Sequence, residues 1–112
     1  MKRKIYFLYL ITLLIHPGCA TFIARDISKP IKYAQMDYIT VNDIEMYYYT
    51  LGDSQKPPLI FLHGSLAFSE LYKKIITSLS NNYFVIAVDM RGHGRTELGE
   101  KSFSYFNMAN DI

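Results

Sequence analysis

The chain has 112 residues, which is enough for one small domain. Half of the residues are hydrophobic and a fifth are charged, a composition that excludes a disordered protein. The formal net charge of +2 depends on three N-terminal cations, Lys2, Arg3 and Lys4, because all ten acidic residues lie after Cys19 and outnumber the basic residues there. We therefore expect no nucleic-acid partner.

Residues 1–18 have the pattern of a secretory signal peptide. The three cations precede an apolar run from Ile5 to Ile15, and small residues follow it. This run is shorter than the roughly 20 apolar residues of a membrane-spanning helix. The alternative is a buried N-terminal helix or strand, which would not explain why every early charge is positive. The pattern predicts an exported protein of the bacterial cell envelope.

Cys19 is the only cysteine, so no intramolecular disulfide can form. It directly follows Pro17 and Gly18 and resembles the cysteine that becomes the lipidated first residue of bacterial lipoproteins. His16 departs from that pattern, which usually has Leu there, and chance also supplies a lone cysteine near a signal peptide. Lipidation of Cys19 would attach the protein to a membrane without a transmembrane helix, whereas the unmodified protein would be periplasmic.

Residues 19–36 show no periodicity and are predicted to be a linker before a domain at 37–112. Ile39 and Val41 alternate with polar residues, as in a half-buried strand that begins near Tyr38. The β-prone run 44–51 predicts the returning strand. Asn42 and Asp43 between the two tolerate the positive φ of a tight turn, so a β-hairpin is expected.

Two wholly apolar runs, 59–62 and 83–88, follow the hairpin, and such runs are typical of strands covered on both faces. Between them a helix is predicted to begin with Ser69 as its N-cap. Apolar residues at helical spacing form its inward face: Phe68, Leu71, Tyr72, Ile75, Ile76 and Leu79. A strand–helix–strand unit of this kind places its two strands in parallel.

A further helix is predicted within Ser102 to Ile112. Its apolar residues share one side: Tyr105, Met108, Ala109 and Ile112. The order of elements is therefore a hairpin, a parallel β-α-β unit and the start of another helix, which is an α/β fold.

A glycine turn follows the first apolar strand, at His63-Gly64-Ser65-Leu66. In open α/β sheets, ligands bind beyond the carboxyl ends of the strands. Backbone N–H groups of such a turn can stabilise an oxyanion, a contribution of about 3 kcal/mol per donor. Taken alone, a His-Gly pair is more often an ordinary β–α turn with a solvated histidine.

The second apolar strand leads into another glycine-bearing loop, from Asp89 to Thr96. Gly92 and Gly94 lack the third glycine of a dinucleotide-binding fingerprint, because Glu97 stands at that position. No helical pattern begins directly after the loop. A dinucleotide site is therefore a weak alternative.

The two segments together closely resemble the α/β-hydrolase superfamily, whose members share a His-Gly turn after strand three and an Asp-x-Arg-Gly-x-Gly-x-Ser turn after strand four. The likeness covers residues 37–112. It implies the N-terminal half of an α/β-hydrolase fold, a hydrolase of ester, amide or related bonds with a Ser–His–Asp type triad, and a small-molecule substrate. We expect no cofactor, and no metal either, because the three histidines are far apart in the sequence and Cys19 is assigned to processing.

The resemblance assigns roles to the residues of both turns. His63, Gly64, Ser65 and Leu66 would form the oxyanion loop, with the backbone N–H of Ser65 as the first donor and that of Leu66 as the second. His93 would be a loop residue rather than a base. The structural residues of the strand-four turn would be Asp89, Arg91, Gly92 and Gly94.

Three positions depart from the family pattern, and the first is the hairpin turn, where Asn42-Asp43 replaces a common Asn-Gly pair. Leu66 stands where many epoxide hydrolases and dehalogenases have Pro, which argues against those subtypes. Thr96 replaces the usual Ser at the end of the strand-four motif, a mild change.

The sequence contains no Gly-x-Ser-x-Gly, the motif of the nucleophile elbow. The resemblance places all three triad residues beyond Ile112, so no catalytic residue is expected among these 112. His63 cannot replace the base, since it lies on the oxyanion side. We therefore expect the chain alone to be inactive and unstable or prone to aggregation. The alternatives are a non-catalytic envelope lipoprotein that retains the front of the fold, and the product of a decayed gene.

Overall fold

The computed structural model describes residues 31–112. The predicted signal peptide and Cys19 lie outside this part of the chain. Within it, no helix is long and apolar enough to cross a membrane. This part contains four strands, two short α-helices and one 3-10 turn, which directly precedes the first helix. The elements are β1 (Gln35–Val41), β2 (Ile44–Leu51), β3 (Pro58–Leu62), a 3-10 turn (Ser69–Tyr72), α1 (Lys73–Leu79), β4 (Phe84–Val88) and α2 (Tyr105–Asn110).

The strands form one mixed sheet in the order β1-β2-β4-β3. β1 pairs with β2 and β2 with β4 in antiparallel fashion, whereas β3 and β4 are parallel, with Ile60 opposite Ile86. This confirms the predicted hairpin and the predicted parallel β-α-β unit. Because β3 and β4 run in the same direction, their carboxyl ends, at Leu62 and Val88, lie side by side at one edge of the sheet. The two glycine turns therefore start from neighbouring positions.

The hairpin turn forms at the predicted residues, and Asn42 has a positive φ of 52°. Asn adopts this conformation more readily than most residues. β1 differs from the prediction in burial, since Ile39 is half exposed rather than facing a core. Ile31 is buried and Ala34 packs against the core, although the sequence places both in the linker.

The main core lies on one face of the sheet, where α1 packs. Alternate residues of β2 and β4 point into it, as the two-residue period of a strand requires. Its fully buried centre consists of Tyr49, Ile76, Val85 and Ala87. A smaller cluster on the other face contains Ile44, Met46, Val88 and Met90.

The prediction that Ser69 caps the helix is wrong. Ser69 is fully buried, and its backbone N–H and its hydroxyl both donate to Asp89 Oδ1, at 2.7 and 2.6 Å. A buried carboxylate needs such donors more than an exposed helix end does. Regular helix begins only at Lys73. The predicted apolar face is also only partly buried, because Leu71 and Ile75 are exposed.

The prediction that β3 is covered on both faces does not hold within the described residues. Ile60 and Leu62 are about half exposed, at 51% and 49%. β3 is the last strand of the described sheet, and α1 covers only the opposite face. An apolar run predicts that a strand is suited to burial, but it does not specify which segment covers it.

Candidate functional site

His63 joins the two turns at the carboxyl edge of the sheet. Its ring is nearly buried, the backbone N–H of Met90 donates to Nε2 at 3.0 Å, and Nδ1 donates to the carbonyl of Gly64 at 2.8 Å. These two contacts fix the neutral tautomer with its proton on Nδ1. The solvated histidine that an ordinary β–α turn would have is therefore not observed. Because both nitrogens are occupied, His63 has no lone pair with which to act as a base.

The turn after His63 presents unoccupied backbone donors. Within residues 31–112, neither the Ser65 nor the Leu66 N–H donates to a protein acceptor. Leu66 has a φ of +58°, and its side chain is 95% exposed. A left-handed leucine costs free energy that this side chain does not recover by packing. The loop is therefore strained in the segment where the sequence places the oxyanion donors.

Asp89 is the centre of the turn after β4, and its carboxylate is buried. Oδ1 accepts both bonds from Ser69, and Oδ2 accepts from the backbone N–H of Arg95 at 3.0 Å. The hydroxyl of Thr96 donates to the Asp89 carbonyl and accepts from the N–H of Tyr47. Asp89 thus ties its own loop to the 3-10 turn, and Thr96 ties that loop to β2.

Arg91 is completely buried, and all five of its N–H groups have acceptors. It makes two bonds to Asp111 (2.8 and 2.9 Å), two to Asp43 (2.8 and 3.2 Å) and one to the carbonyl of Leu98 (2.9 Å). This arrangement connects the β4 turn to the hairpin turn and to the end of α2. A buried guanidinium is tolerated because bidentate carboxylates compensate for its desolvation.

The ion pairs of this cluster set its titration. Hydrogen bonds from Arg91 hold the pKa of Asp43 and of Asp111 below the usual 3.8 of an aspartate. The backbone N–H groups of Lys101 and Glu100 lower the pKa of Asp43 further. The two carboxylates in turn raise the pKa of Arg91. All three groups therefore remain charged at neutral pH.

Two glycines in this turn are required by space and backbone conformation. Gly92 and Gly94 have φ values of +70° and +54°. A Cβ at Gly94 would lie 2.0 Å from Asp89 Oδ2, far inside the contact distance. At Gly64, in the other turn, the nearest atom would be the Tyr72 hydroxyl at 3.5 Å, an ordinary contact. The strand-four turn is thus closely packed against Asp89, whereas the His63 turn is open.

A cleft of about 480 Å³ lies between the two turns and α2. One wall is contributed by the His63–Ser65 turn. The remaining walls are mostly apolar, with Leu62, Met90, Phe103, Tyr105, Met108, Ala109 and Ile112. The side of α2 predicted to be apolar therefore faces this cleft.

His93 is the other histidine of the cleft wall. Its Nδ1 donates to the carbonyl of Arg91 at 3.0 Å. Its ring lies against the rings of His63 and Phe103, at centroid distances of 5.1 and 5.7 Å. Within residues 31–112, neither histidine bonds a serine or threonine hydroxyl. The described residues thus contain no nucleophile–base pair.

Three residues that support the site were not predicted from the sequence to belong to it. Ser69 supports Asp89, and Asp43 and Asp111 enclose Arg91. For Asp43 the signal in the sequence was the Asn42-Asp43 turn, which indicated a turn rather than an ion pair. Within residues 31–112, no cluster of three or more potential metal ligands occurs.

A mixed sheet whose parallel strands end in glycine turns, with a cleft beyond their carboxyl ends, is the arrangement in which α/β proteins commonly bind ligands. The family model described as alpha/beta hydrolase fold matches residues 57–112, half of the chain. The chain belongs to this family.

The relatives of the chain include hydrolases of several kinds. The chain is 28% identical over 76 residues to 3-oxoadipate enol-lactonase 2 of Acinetobacter baylyi, covering 68% of this chain and 28% of the relative. It is 33% identical over 72 residues to a soluble epoxide hydrolase of Corynebacterium, covering 64% and 24%. The structure of a haloalkane dehalogenase loop variant from Bradyrhizobium elkanii aligns with a TM-score of 0.66 and 26% identity, covering 70% and 26%. The chain thus spans about a quarter of the length of these relatives.

Proposed function

We propose that the His63–Leu66 turn supplies the oxyanion side of a site that hydrolyses ester, amide or related bonds. The observation that carries the proposal is that, within residues 31–112, two successive N–H groups have no acceptor: that of Ser65, which lines the cleft, and that of Leu66, the next residue. The membership of the hydrolase family and the hydrolase names of the relatives support the same reaction class. In this proposal a Ser–His–Asp type triad outside the described residues attacks the substrate.

The oxyanion role depends on a backbone group, so it can be separated from the Ser65 side chain. Ser65→Pro removes the N–H and is expected to lower kcat about 100- to 1000-fold, the usual effect of losing one oxyanion donor. Ser65→Ala removes only the hydroxyl and is expected to keep most of the activity. The assay is hydrolysis of p-nitrophenyl butyrate by the natural polypeptide that contains these 112 residues.

The results of this assay decide the proposal. Equal activity of the proline and alanine variants would exclude Ser65 as a donor. Absence of ester and amide hydrolysis from the natural polypeptide would overturn the reaction class. A fluorophosphonate probe, which labels activated serines, is expected to modify a serine outside residues 31–112, because no serine in this part is paired with a histidine.

The same reasoning predicts that residues 19–112 alone do not hydrolyse esters. The described part contains no nucleophile–base pair, and β3 leaves Ile60 and Leu62 half exposed. We expect purified residues 19–112 to release p-nitrophenol no faster than buffer and to unfold without a cooperative thermal transition. A cooperative transition together with measurable hydrolysis would contradict both expectations.

We further propose that the protein is exported and attached to the cell envelope through a lipid on Cys19. The support is the order of basic, apolar and small residues before this cysteine. Bacteria that express the protein in the presence of a radioactive fatty acid are expected to label it, and Cys19→Ala is expected to abolish the label. An unlabelled protein in the periplasm would retain export but exclude lipidation, and a cytoplasmic protein would exclude both.

A further inference from the structure

The polar side chains of the cleft are not equally available to a ligand. His63 uses both ring nitrogens within the protein. The Nδ1 of His93 is also occupied, by the carbonyl of Arg91. Its Nε2 has no acceptor or donor within residues 31–112, and no side-chain nitrogen or oxygen that is both buried and unpaired occurs there. The Nε2 atom of His93 is therefore accessible on a residue that lines the cleft.

The contacts of His93 also determine what Nε2 can do. Donation from Nδ1 to the Arg91 carbonyl places the single proton of the neutral imidazole on that side, so Nε2 is left with a lone pair. The rings of His63 and Phe103 contact the imidazole ring and restrict its rotation. His93 is thus a hydrogen-bond acceptor held in place on an otherwise mainly apolar wall.

We propose that His93 determines the specificity of this cleft by accepting, through Nε2, a hydrogen bond from an N–H or O–H group on an otherwise apolar substrate. The inference rests on the proposed function, since it takes the cleft as the substrate site. The apolar walls from Met90, Phe103 and Met108 would hold the hydrocarbon part of the ligand. A ligand without a donor would leave the Nε2 lone pair unpaired once water is displaced, and that lowers its affinity.

Two small amides test this preference directly. N-methylhexanamide carries one N–H donor, whereas N,N-dimethylhexanamide has the same acyl chain and no donor. Binding to the natural polypeptide is followed through the methyl signals of Met90 and Met108 in NMR titrations. We expect the donor-bearing amide to bind about three- to tenfold more tightly, the range of one net hydrogen bond.

Two variants remove Nε2 in different ways. His93→Phe keeps the ring that packs against His63 and Phe103, and His93→Asn keeps a donor for the Arg91 carbonyl. Both are expected to bind the two amides with nearly equal affinity. His93→Gln, which can place an oxygen near the position of Nε2, is expected to restore the preference. The control Phe103→Leu is expected to weaken both amides equally.

The outcomes separate this inference from the proposed function. Equal affinity of the wild type for the two amides, a preference that persists in both the Phe and the Asn variants, or no shift at either methionine would overturn the role of His93. Ester hydrolysis is measured in the same samples. Hydrolysis without an amide preference overturns only the specificity role, whereas an amide preference without any hydrolysis overturns only the proposed reaction.

Discussion

The two turns at the carboxyl edge of the sheet begin at equivalent positions but use their polar groups in opposite ways. In the Asp89–Thr96 turn, the Asp89 carboxylate and all five N–H groups of Arg91 are bonded within the protein. In the His63–Leu66 turn, two backbone donors have no acceptor in the part of the chain that the structure describes, and Leu66 has a positive φ. The difference indicates that the first turn maintains the fold, whereas the second leaves donors for a ligand.

The largest difference between the two turns is expected when the same glycine-to-alanine change is made in each. Gly94→Ala would place a methyl group 2.0 Å from Asp89 Oδ2 at a positive φ, and we expect it to destabilise the protein by about 3 kcal/mol or more. Gly64→Ala meets only an ordinary contact, so we expect a change within about 0.5 kcal/mol. Thermal unfolding of both variants of the natural polypeptide measures the difference. Similar losses would show that the two turns are equally constrained.

The Arg91 cluster, which consists of Arg91, Asp43 and Asp111, predicts a second effect, on stability at acid pH. The folded pKa values of Asp43 and Asp111 lie below the usual 3.8, so their contribution to stability is complete above about pH 5 and is lost as the pH falls through the folded values. Asp111→Asn removes one of the two carboxylates. We expect it to lower stability at neutral pH and to make the loss between about pH 5 and pH 3 shallower.

The matched control for this experiment is Asp37→Asn. Asp37 is exposed, and among the described residues its carboxylate accepts a hydrogen bond only from the backbone N–H of Tyr38. Urea unfolding at a series of pH values gives the free energy of unfolding of each variant as a function of pH, and hence its slope at acid pH. If the free energy of unfolding of Asp111→Asn fell with decreasing pH as steeply as that of the wild type, the Arg91 cluster would not control acid stability.

The smallest expected change in stability comes from Leu66, in the His63–Leu66 turn. Leu66→Gly relieves the positive φ and sacrifices almost no packing, because the side chain is 95% exposed. Relief of strain exceeds the added flexibility of the unfolded chain only modestly, so we expect about 0.5 kcal/mol of stabilisation. If the strain positions the oxyanion donors, the same variant lowers kcat while the melting temperature rises. A melting temperature that falls would show that the loop is not strained.

Local patterns in the sequence were sufficient for the order of elements. The hairpin followed from Asn42 and Asp43 between β-prone runs, and the parallel pair followed from the apolar runs at 59–62 and 83–88. These local patterns did not predict how far β3 is buried or at which residue α1 begins. Ser69 resembles an N-cap locally, but Asp89, twenty residues away, requires its donors. Competition of this kind depends on which buried group lacks other partners.

The sequence by itself determined that two apolar strands run in parallel into two glycine turns, because strand burial and glycine conformation are encoded over a few residues. Only the tertiary structure decided which polar groups form hydrogen bonds within the protein and which remain available to a ligand. Arg91 meets carboxylates 48 and 20 residues away, and His93 retains an open nitrogen because a backbone carbonyl and two rings fix the rest of its imidazole. Hydrogen-bond satisfaction is a property of the whole packed molecule, so spacing along the chain does not reveal it.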